Sequence, residues 1–503
     1  LPQIEHVVVL MMENHSYDNL FGMLGRGDGL TRRAGGPPTN SNPYANGAPQ
    51  RAFHMPTTCQ LDGKPSQEWK QAHIQYDGGR NDGFVISGSG PVAMGYWDGN
   101  DLPFTYDLAT RFPVGDRWFC SLLGQTDPNR RYLIAGTSMG MTDDIPLLQQ
   151  DAALALSPPH GTIFDRLNSH GISWEEYYVQ YPTITDATME LYPAADELFE
   201  LTHGKPISGF FSAAAAGTLP QFTLLDPNYS TQSQENPQNI VVGEAFLASV
   251  VTALGASPNW PHTVLIITYD EHGGYYDHVA PPAALAPDSV QPIVQQNESK
   301  YEGFRRYGFR VPSVVVGPYA KPGHVSSVVY DHASILAFVE RKWNLPAMTY
   351  RDANANDLTD FLDLDALAAG QPTFPELPAL AAAGENAQTV LCSSTGAGTI
   401  PPPAPATPPP ATPGKLLVRD LGVNHRRRAL LIELRAASGR LADVEVELRR
   451  GRTLVARRRV GDIGVAGRTT VLRAGRHAPA EGRYTLLVTE RGTTILRRSI
   501  RVR

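Results

Sequence analysis

Cysteine is scarce in this chain, and long apolar runs are missing. The 503 residues include three cysteines, Cys59, Cys120 and Cys392, so at most one disulfide can form and one thiol is left over. A cysteine framework is thereby excluded, and the redox compartment stays open. No uninterrupted apolar stretch approaches the ~20 residues a helix needs to cross a bilayer. There is no GxxxxGK[ST] phosphate loop, which removes one common way of building a phosphate site. No repeat of fixed period is present. The chain opens at Leu1 rather than Met and enters a strand-like run almost at once, which suggests a trimmed N-terminus and an exported, secreted or envelope-associated protein.

What is present is ordinary in bulk and uneven in distribution. Hydrophobic residues make up 42% of the chain, as in a soluble globular protein. The net charge of −7 hides a split: residues 414–503 carry 22 Lys+Arg against 8 Asp+Glu, leaving 21 against 42 for residues 1–413. Such a split indicates two units. Between them, the Pro/Ala/Thr-rich stretch 393–414 favours polyproline II and reads as a semi-rigid linker. We therefore expect a catalytic domain over 1–392 and a basic domain over 415–503. In the latter, alternating segments such as Val444-Glu445-Val446-Glu447-Leu448, separated by turns, predict a small antiparallel β-sandwich. Its positive charge suits an anionic membrane or cell-wall polymer, or is simply a solvated arginine-rich surface.

In the first unit, apolar runs at 7–12, 264–269 and 311–316 alternate with helical patterns at 243–254 and 331–343. That alternation predicts a three-layer α/β domain with a mainly parallel sheet. The Gly/Pro/Asn-rich stretches 25–50 and 77–103 read as long active-site loops. Two of the apolar runs end in acids: VVVLMM in Glu13-Asn14, and VLIITY in Asp270-Glu271. Ligands bind beyond the carboxyl ends of parallel strands. If the two strands are neighbours, three carboxylates and an amide converge where like charges repel unless a cation holds them. Oxygen ligands favour a hard or borderline divalent ion, Ca²⁺, Mg²⁺, Mn²⁺ or Zn²⁺. The competing local readings are a helix N-cap at Glu13-Asn14 and a solvated loop at Asp270-Glu271.

Thr126, in GQTDPNRRYLIAG (124–136), stands where a turn leads into a helix. It reads locally as an N-cap, or as a nucleophile if a metal lowers its pKa and the helix N-terminus receives a phosphoryl group. His73 and His332 read as structural histidines, and Arg130 and Arg131 as solvated arginines able to bind phosphate.

Five stretches in order, ENHSYDNLFG (13–22), GRNDGF (79–84), QTDPNRRYLIAGT (125–137), TYDEHGGYYDHVAPP (268–282) and YDHASILAFVE (330–340), resemble the bacterial phosphoesterase family. That family includes secreted phospholipases C, plant non-specific phospholipases C and a respiratory-burst-inhibiting acid phosphatase. The resemblance covers roughly residues 1–365. It implies a fold like the alkaline phosphatase superfamily and one divalent metal ion held by Glu13, Asn14, Thr126, Asp270 and Glu271, with Thr126 also the nucleophile. His73 and His278 match family histidines near the phosphate, and His272 and His332 match with less defined roles. Arg130 joins these as a substrate contact. Two departures stand out. A His-Pro pair of many members is Asn236-Pro237 here, and a His-x-Trp is Glu68-Trp69 preceded by Gln67. Asn236 can hydrogen-bond a substrate oxygen but cannot protonate a leaving group, a task left to His73 or water.

The resemblance implies a phospholipase C-type phosphodiesterase acting on a phospholipid. The rival expectations are a broad-specificity phosphomonoesterase and a non-catalytic protein that binds anionic surfaces. None of the three involves nucleic acid, and the sequence sets no oligomeric state.

Overall fold

The computed structural model describes residues 1–33, 36–60, 65–144, 158–181, 183, 202–295, 298–378, 400–403, 416–424, 429–436, 440–451, 453–464, 466–474, 479–491 and 493–502. The predicted linker at 393–414 falls almost wholly outside them. The chain divides into two compact units, Leu1–Pro405 and Ala406–Arg503.

The first unit is built on one eight-stranded sheet. Its strands are β1 (His6–Met12), β2 (Val114–Gly115), β3 (Trp174–Tyr178), β4 (Gly204–Pro206), β5 (Phe222–Asp226), β6 (Thr263–Tyr269), β7 (Ser313–Val316) and β8 (Val325–Ser326), in the order β8-β2-β7-β6-β1-β5-β3-β4. Every residue of β1 and β6 is buried, and all but His6, Thr263 and Thr268 are hydrophobic, as expected of strands covered on both faces. β1 pairs in parallel with β5 and β6, whereas β7 runs antiparallel to β6 and β2. The apolar run at 311–316 becomes a shorter strand than predicted, because Pro312 lacks the N–H a ladder needs and pairing begins at Ser313.

Helices cover both faces. Described here are α1 (Tyr17–Phe21), α2 (Trp69–Tyr76), α3 (Thr126–Ala135), α4 (Ile240–Gly255) and α5 (His332–Trp343). α5 packs on α3, while α4 packs with helices Pro103–Arg111 and Ile207–Ala216. Asn239 caps α4, its side chain accepting from the Val241 N–H, and Asp331 caps α5 in a capping box with Ser334. The stretches 25–50 and 77–103 are not featureless loops. Ser41–Pro43 pairs with Pro49–Arg51, and Phe53–His54 with Gly95–Tyr96. Among the described residues, no helix is long and apolar enough to cross a membrane.

The second unit has a three-stranded sheet, β9 (Leu416–Asn424), β10 (Ala429–Ala436) and β13 (Arg468–Leu472), and a four-stranded sheet, β12 (Thr453–Gly464), β11 (Arg440–Arg450), β14 (Gly482–Glu490) and β15 (Thr493–Val502). All pairings are antiparallel. Leu430, Ile432 and Leu434 from one sheet meet Val444, Val446, Leu448, Leu486 and Val488 from the other in a single core, which makes the unit a β-sandwich.

Candidate active site

The site follows from register. β1 and β6 pair level to their ends, Met12 opposite Tyr269, so Glu13 and Asp270, the next residues on each strand, emerge side by side. The Asn14 N–H donates to Asp270 Oδ1 at 2.9 Å, locking the two strand exits together. Asn14 adopts φ +64°, a left-handed turn that asparagine tolerates, and Gly273 on the opposite exit passes so close that a Cβ would lie 1.9 Å from the Asn14 carbonyl oxygen. No other residue than glycine fits there.

α3 begins at Thr126, with Gln125 in the N-cap position and making no side-chain cap bond. Likewise Ser16, not Glu13 or Asn14, caps α1. Both local cap readings therefore give way to other residues. The buried Thr126 hydroxyl instead donates to Asn14 Oδ1 at 3.4 Å, which brings the helix N-terminus to the paired strand ends.

Negative charge is in surplus around this point. Glu13, Asp270 and Glu271 are all buried. Burial, with repulsion from Asp270, holds the Glu13 and Glu271 carboxyls well above the usual carboxylate range. Asp144 is raised likewise by burial and then by Asp127, Asp270 and Glu13. Glu13 Oε2, Glu271 Oε1 and Asn14 Nδ2, whose amide ends are interchangeable by rotation, lack hydrogen-bond partners. Unpartnered, buried, mutually repelling oxygen donors are what a hard divalent cation satisfies, so the residues fit one. A tighter acid group, Asp18, Asp277 and His278, has its ligand atoms within 4.8 Å of one another. There the Arg310 guanidinium already stands between the carboxylates.

The other expected site residues divide between the crevice and its surroundings. Arg130 is buried with every contact committed to protein: Nε to Asp270 Oδ2 at 3.1 Å, Nη1 to the Tyr229 hydroxyl at 3.1 Å and Nη2 to the Met12 carbonyl at 3.3 Å. His332 donates from Nε2 to the Asp270 carbonyl at 2.6 Å, leaving Nδ1 bare; burial lowers its pKa to about 4. His272 reaches Gln75 Oε1 at 2.7 Å through Nε2 and sits with Nδ1 3.1 Å from Glu271 Oε2. Its burial lowers the pKa to about 3. Asn236 donates to the Gly273 carbonyl at 3.3 Å, and its Oδ1 has no partner.

His73 lies on α2, stacked 3.8 Å from the Tyr301 ring. Its Nδ1 is 2.7 Å from the Trp69 carbonyl, an acceptor only, so Nδ1 carries the proton and Nε2 the lone pair. Burial lowers its pKa to about 4. The Trp69 N–H bonds Asp143, and Asp144 bonds Gln125 and the Asp127 N–H, so one short segment connects α2 to the start of α3.

His278 belongs to the other cluster. Its Nδ1 is 2.7 Å from Asp18 Oδ2 and its Nε2 3.1 Å from Asp28 Oδ1. Burial opposes its charge, but the hydrogen bond and charge of Asp18, with Asp277, win over Arg310 and raise its pKa to about 9. The raised pKa means the imidazolium stabilises the fold fully below the unfolded value of about 6.5 and loses that contribution as pH rises through about 9. We expect His278→Gln to lower the thermal midpoint near pH 6, with a deficit of about 2–3 kcal/mol that shrinks above about pH 9. An equal deficit in melts at about pH 6 and about pH 10 would remove the ionic account.

Asp144, Tyr229, Asp226 and Arg310 were not anticipated from the sequence. Tyr229 bonds Asp226 three residues away, but only long-range contacts bring the pair to Arg130, Arg310 to Asp277 and Asp144 to Asp127 and Asp270.

A buried hydroxyl at a helix N-terminus faces the acid-bearing ends of two parallel strands, an arrangement chemically suited to receive a phosphate ester. Residues 4–346 match the model of the Phosphoesterase family, and the chain belongs to that family; it is a phosphoric ester hydrolase. Among similar proteins, Phospholipase C A of Mycobacterium tuberculosis is 30% identical over 403 residues, covering 71% of this chain and 77% of that protein. Non-specific phospholipase C6 of Arabidopsis thaliana is 31% identical over 404 residues, 71% of this chain and 72% of that protein. Non-hemolytic phospholipase C of Pseudomonas aeruginosa is 28% identical over 472 residues, 85% and 67% respectively. A solved structure of a protein in the alkaline phosphatase superfamily from Vibrio parahaemolyticus overlaps at a TM-score of 0.33 and 10% identity, over 63% of this chain and 72% of that one.

Proposed function

We propose that this chain is a phospholipase C-type phosphodiesterase, secreted or held at the cell envelope. It hydrolyses the glycerol-side phosphate ester of a phospholipid, yielding diacylglycerol and a phosphorylated head group. One observation carries the reading: the buried Thr126 hydroxyl, at the first residue of α3, faces Asn14 at the joined ends of β1 and β6. The names of the relatives support the substrate class.

In this mechanism Thr126 Oγ1 attacks phosphorus in line, the bond from phosphorus to the glycerol oxygen breaks and releases diacylglycerol, and the phosphorylated head group stays on Thr126 as a phosphodiester until water cleaves the Thr126 Oγ1–phosphorus bond. A divalent cation held by Glu13, Asn14, Thr126, Asp270 and Glu271 supplies, when bound, a lower hydroxyl pKa and charge neutralisation at the phosphate. In the first turn of α3 the Asp127 N–H is held by Asp144, Pro128 has none and the Asn129 N–H is on the Gln125 carbonyl, so the Thr126 N–H is the one that donates to a phosphoryl oxygen. Arg130 and His332 act as positioning residues, gripping the Asp270 side chain and carbonyl. Asn236 offers its amide to a substrate oxygen. His73, neutral with a bare Nε2, takes the place of the missing histidine: Nε2 accepts the proton of the Thr126 hydroxyl and returns it to the leaving glycerol oxygen.

A substrate panel tests the proposal. The enzyme should release phosphorylated head groups from micelles of phosphatidylcholine, phosphatidylethanolamine or phosphatidylglycerol. Chelation should stop turnover and lower the thermal midpoint, with one of Ca²⁺, Mg²⁺, Mn²⁺ or Zn²⁺ restoring both. Hydrolysis of p-nitrophenyl phosphate without action on any phospholipid would make the protein a monoesterase. Full activity and an unshifted midpoint after chelation would dispose of the cation.

A further inference from the structure

The positive charge of the second unit is arranged unevenly over its four-stranded sheet. Alternation sends Tyr484, Leu486, Val488, Ile500 and Val502 into the core, so Arg483, Thr485, Arg497, Ser499 and Arg501 face outward. On the β11–β12 half of this outer face the charges are matched. Arg457 pairs with Glu445 and Glu447, Arg459 with Asp443, and Arg449 with Glu447. On the β14–β15 half they are not. Arg483, Arg497 and Arg501 are exposed, and no carboxylate among the described residues pairs with any of them.

The register makes the contrast sharper. Arg483 stands directly opposite Arg501, and Thr485 directly opposite Ser499. Residues opposite one another across an antiparallel ladder have Cβ atoms only about 5 Å apart, and like charges there destabilise the pairing. A sheet that keeps two guanidinium groups in register, flanked by hydroxyl donors and a third arginine, is poised for anionic groups arriving from outside. Guanidinium forks match the oxygens of phosphate esters.

We propose that the β14–β15 face docks the protein on anionic phospholipid surfaces, with head-group phosphates bridging Arg483 and Arg501 and a further contact at Arg497. The choice of a lipid surface over another polyanion rests on the phospholipase reading, since a substrate assembled in a bilayer rewards an enzyme held at it. Charge complementarity supports the same occupant: residues 414–503 carry 22 basic against 8 acidic residues, and arginines near an anionic leaflet are attracted to it.

Full-length protein carrying Thr126→Ala, so that lipid is not consumed, should co-sediment with phosphatidylcholine vesicles containing phosphatidylglycerol and not with phosphatidylcholine alone. Binding should weaken as salt rises. Arg483→Gln/Arg497→Gln/Arg501→Gln should weaken it by about tenfold or more, whereas the same charge change at Arg51, Arg305 and Arg341 should not. In the otherwise native enzyme the triple change should leave turnover of a soluble short-chain phospholipid unaltered and reduce turnover on anionic vesicles. Equal binding by the two triple variants overturns the proposal, as does retention on an anionic polysaccharide with no vesicle binding. Vesicle binding that depends on this face in a protein inactive on every phospholipid would keep the docking surface and refute the phospholipase reading.

Discussion

Thr126→Ala is expected to lower kcat by about four to six orders of magnitude while the thermal midpoint moves by only a few degrees. Thr126 is the residue that α3 delivers to the strand ends, and its hydroxyl is directed at Asn14 Oδ1. The fold asks little of that hydroxyl. Gln125 occupies the N-cap position, so no cap is lost, and the one hydrogen bond it makes is long at 3.4 Å, worth at most about 1 kcal/mol. Thr126→Ser should retain turnover, because the attacking oxygen survives. Acid-quenched enzyme should carry the phosphorylated head group esterified to Thr126 in the wild type and none in the alanine variant. Substantial activity in Thr126→Ala would refute the covalent route.

The largest effect on stability should come from Arg310→Met, about 3–5 kcal/mol, read as a fall in the denaturant midpoint. Arg310 is fully buried. Its Nε bonds Asp277 at 3.0 Å, Nη2 bonds Asp18 at 3.2 Å, and Nη1 bonds the Asp28 and Asp116 carbonyls at 2.8 and 3.0 Å. The guanidinium also lies 4.4 Å over the Tyr17 ring. Methionine fills much of the volume but strands Asp18 and Asp277 in the interior with only His278 to balance them, and an unpaired buried charge is far costlier than a lost contact. Asp18→Asn/Asp277→Asn should therefore recover part of the stability in the Arg310→Met background. Unchanged midpoints in Arg310→Met would show that the cluster does not hold these loops to the sheet.

Much of the scaffold was legible because its signals are local. The apolar runs of β1 and β6 are long enough to read as buried strands. The helical patterns at 243–254 and 331–343 mark α4 and α5, which extend a few residues further or start one later. The alternation of Val444, Val446 and Leu448 marks a sheet with one face in a core. The antiparallel direction of β7 was not legible, since strand direction depends on how the chain returns rather than on its composition. Neither was the placement of His278. Its motif sits a few residues from Asp270-Glu271, yet the tight turn through Gly273 and Gly274 carries it into the Asp18–Arg310 cluster. Arg130, which reads as a surface residue of a polar helix, is buried because α3 points into the crevice end-on.

By itself the sequence determined the residue types, the strand and helix periods, the two-unit charge split and five motifs whose order marks the family. These are properties of neighbours along the chain. The tertiary structure decided the rest, because the site exists only across long separations. The level register of β1 and β6 sets Glu13 and Asn14 beside Asp270, α3 brings Thr126 to the same point, and the acids gather faster than Arg130 can neutralise them. Proximity in three dimensions turned scattered, individually ordinary polar residues into one electrostatically strained crevice.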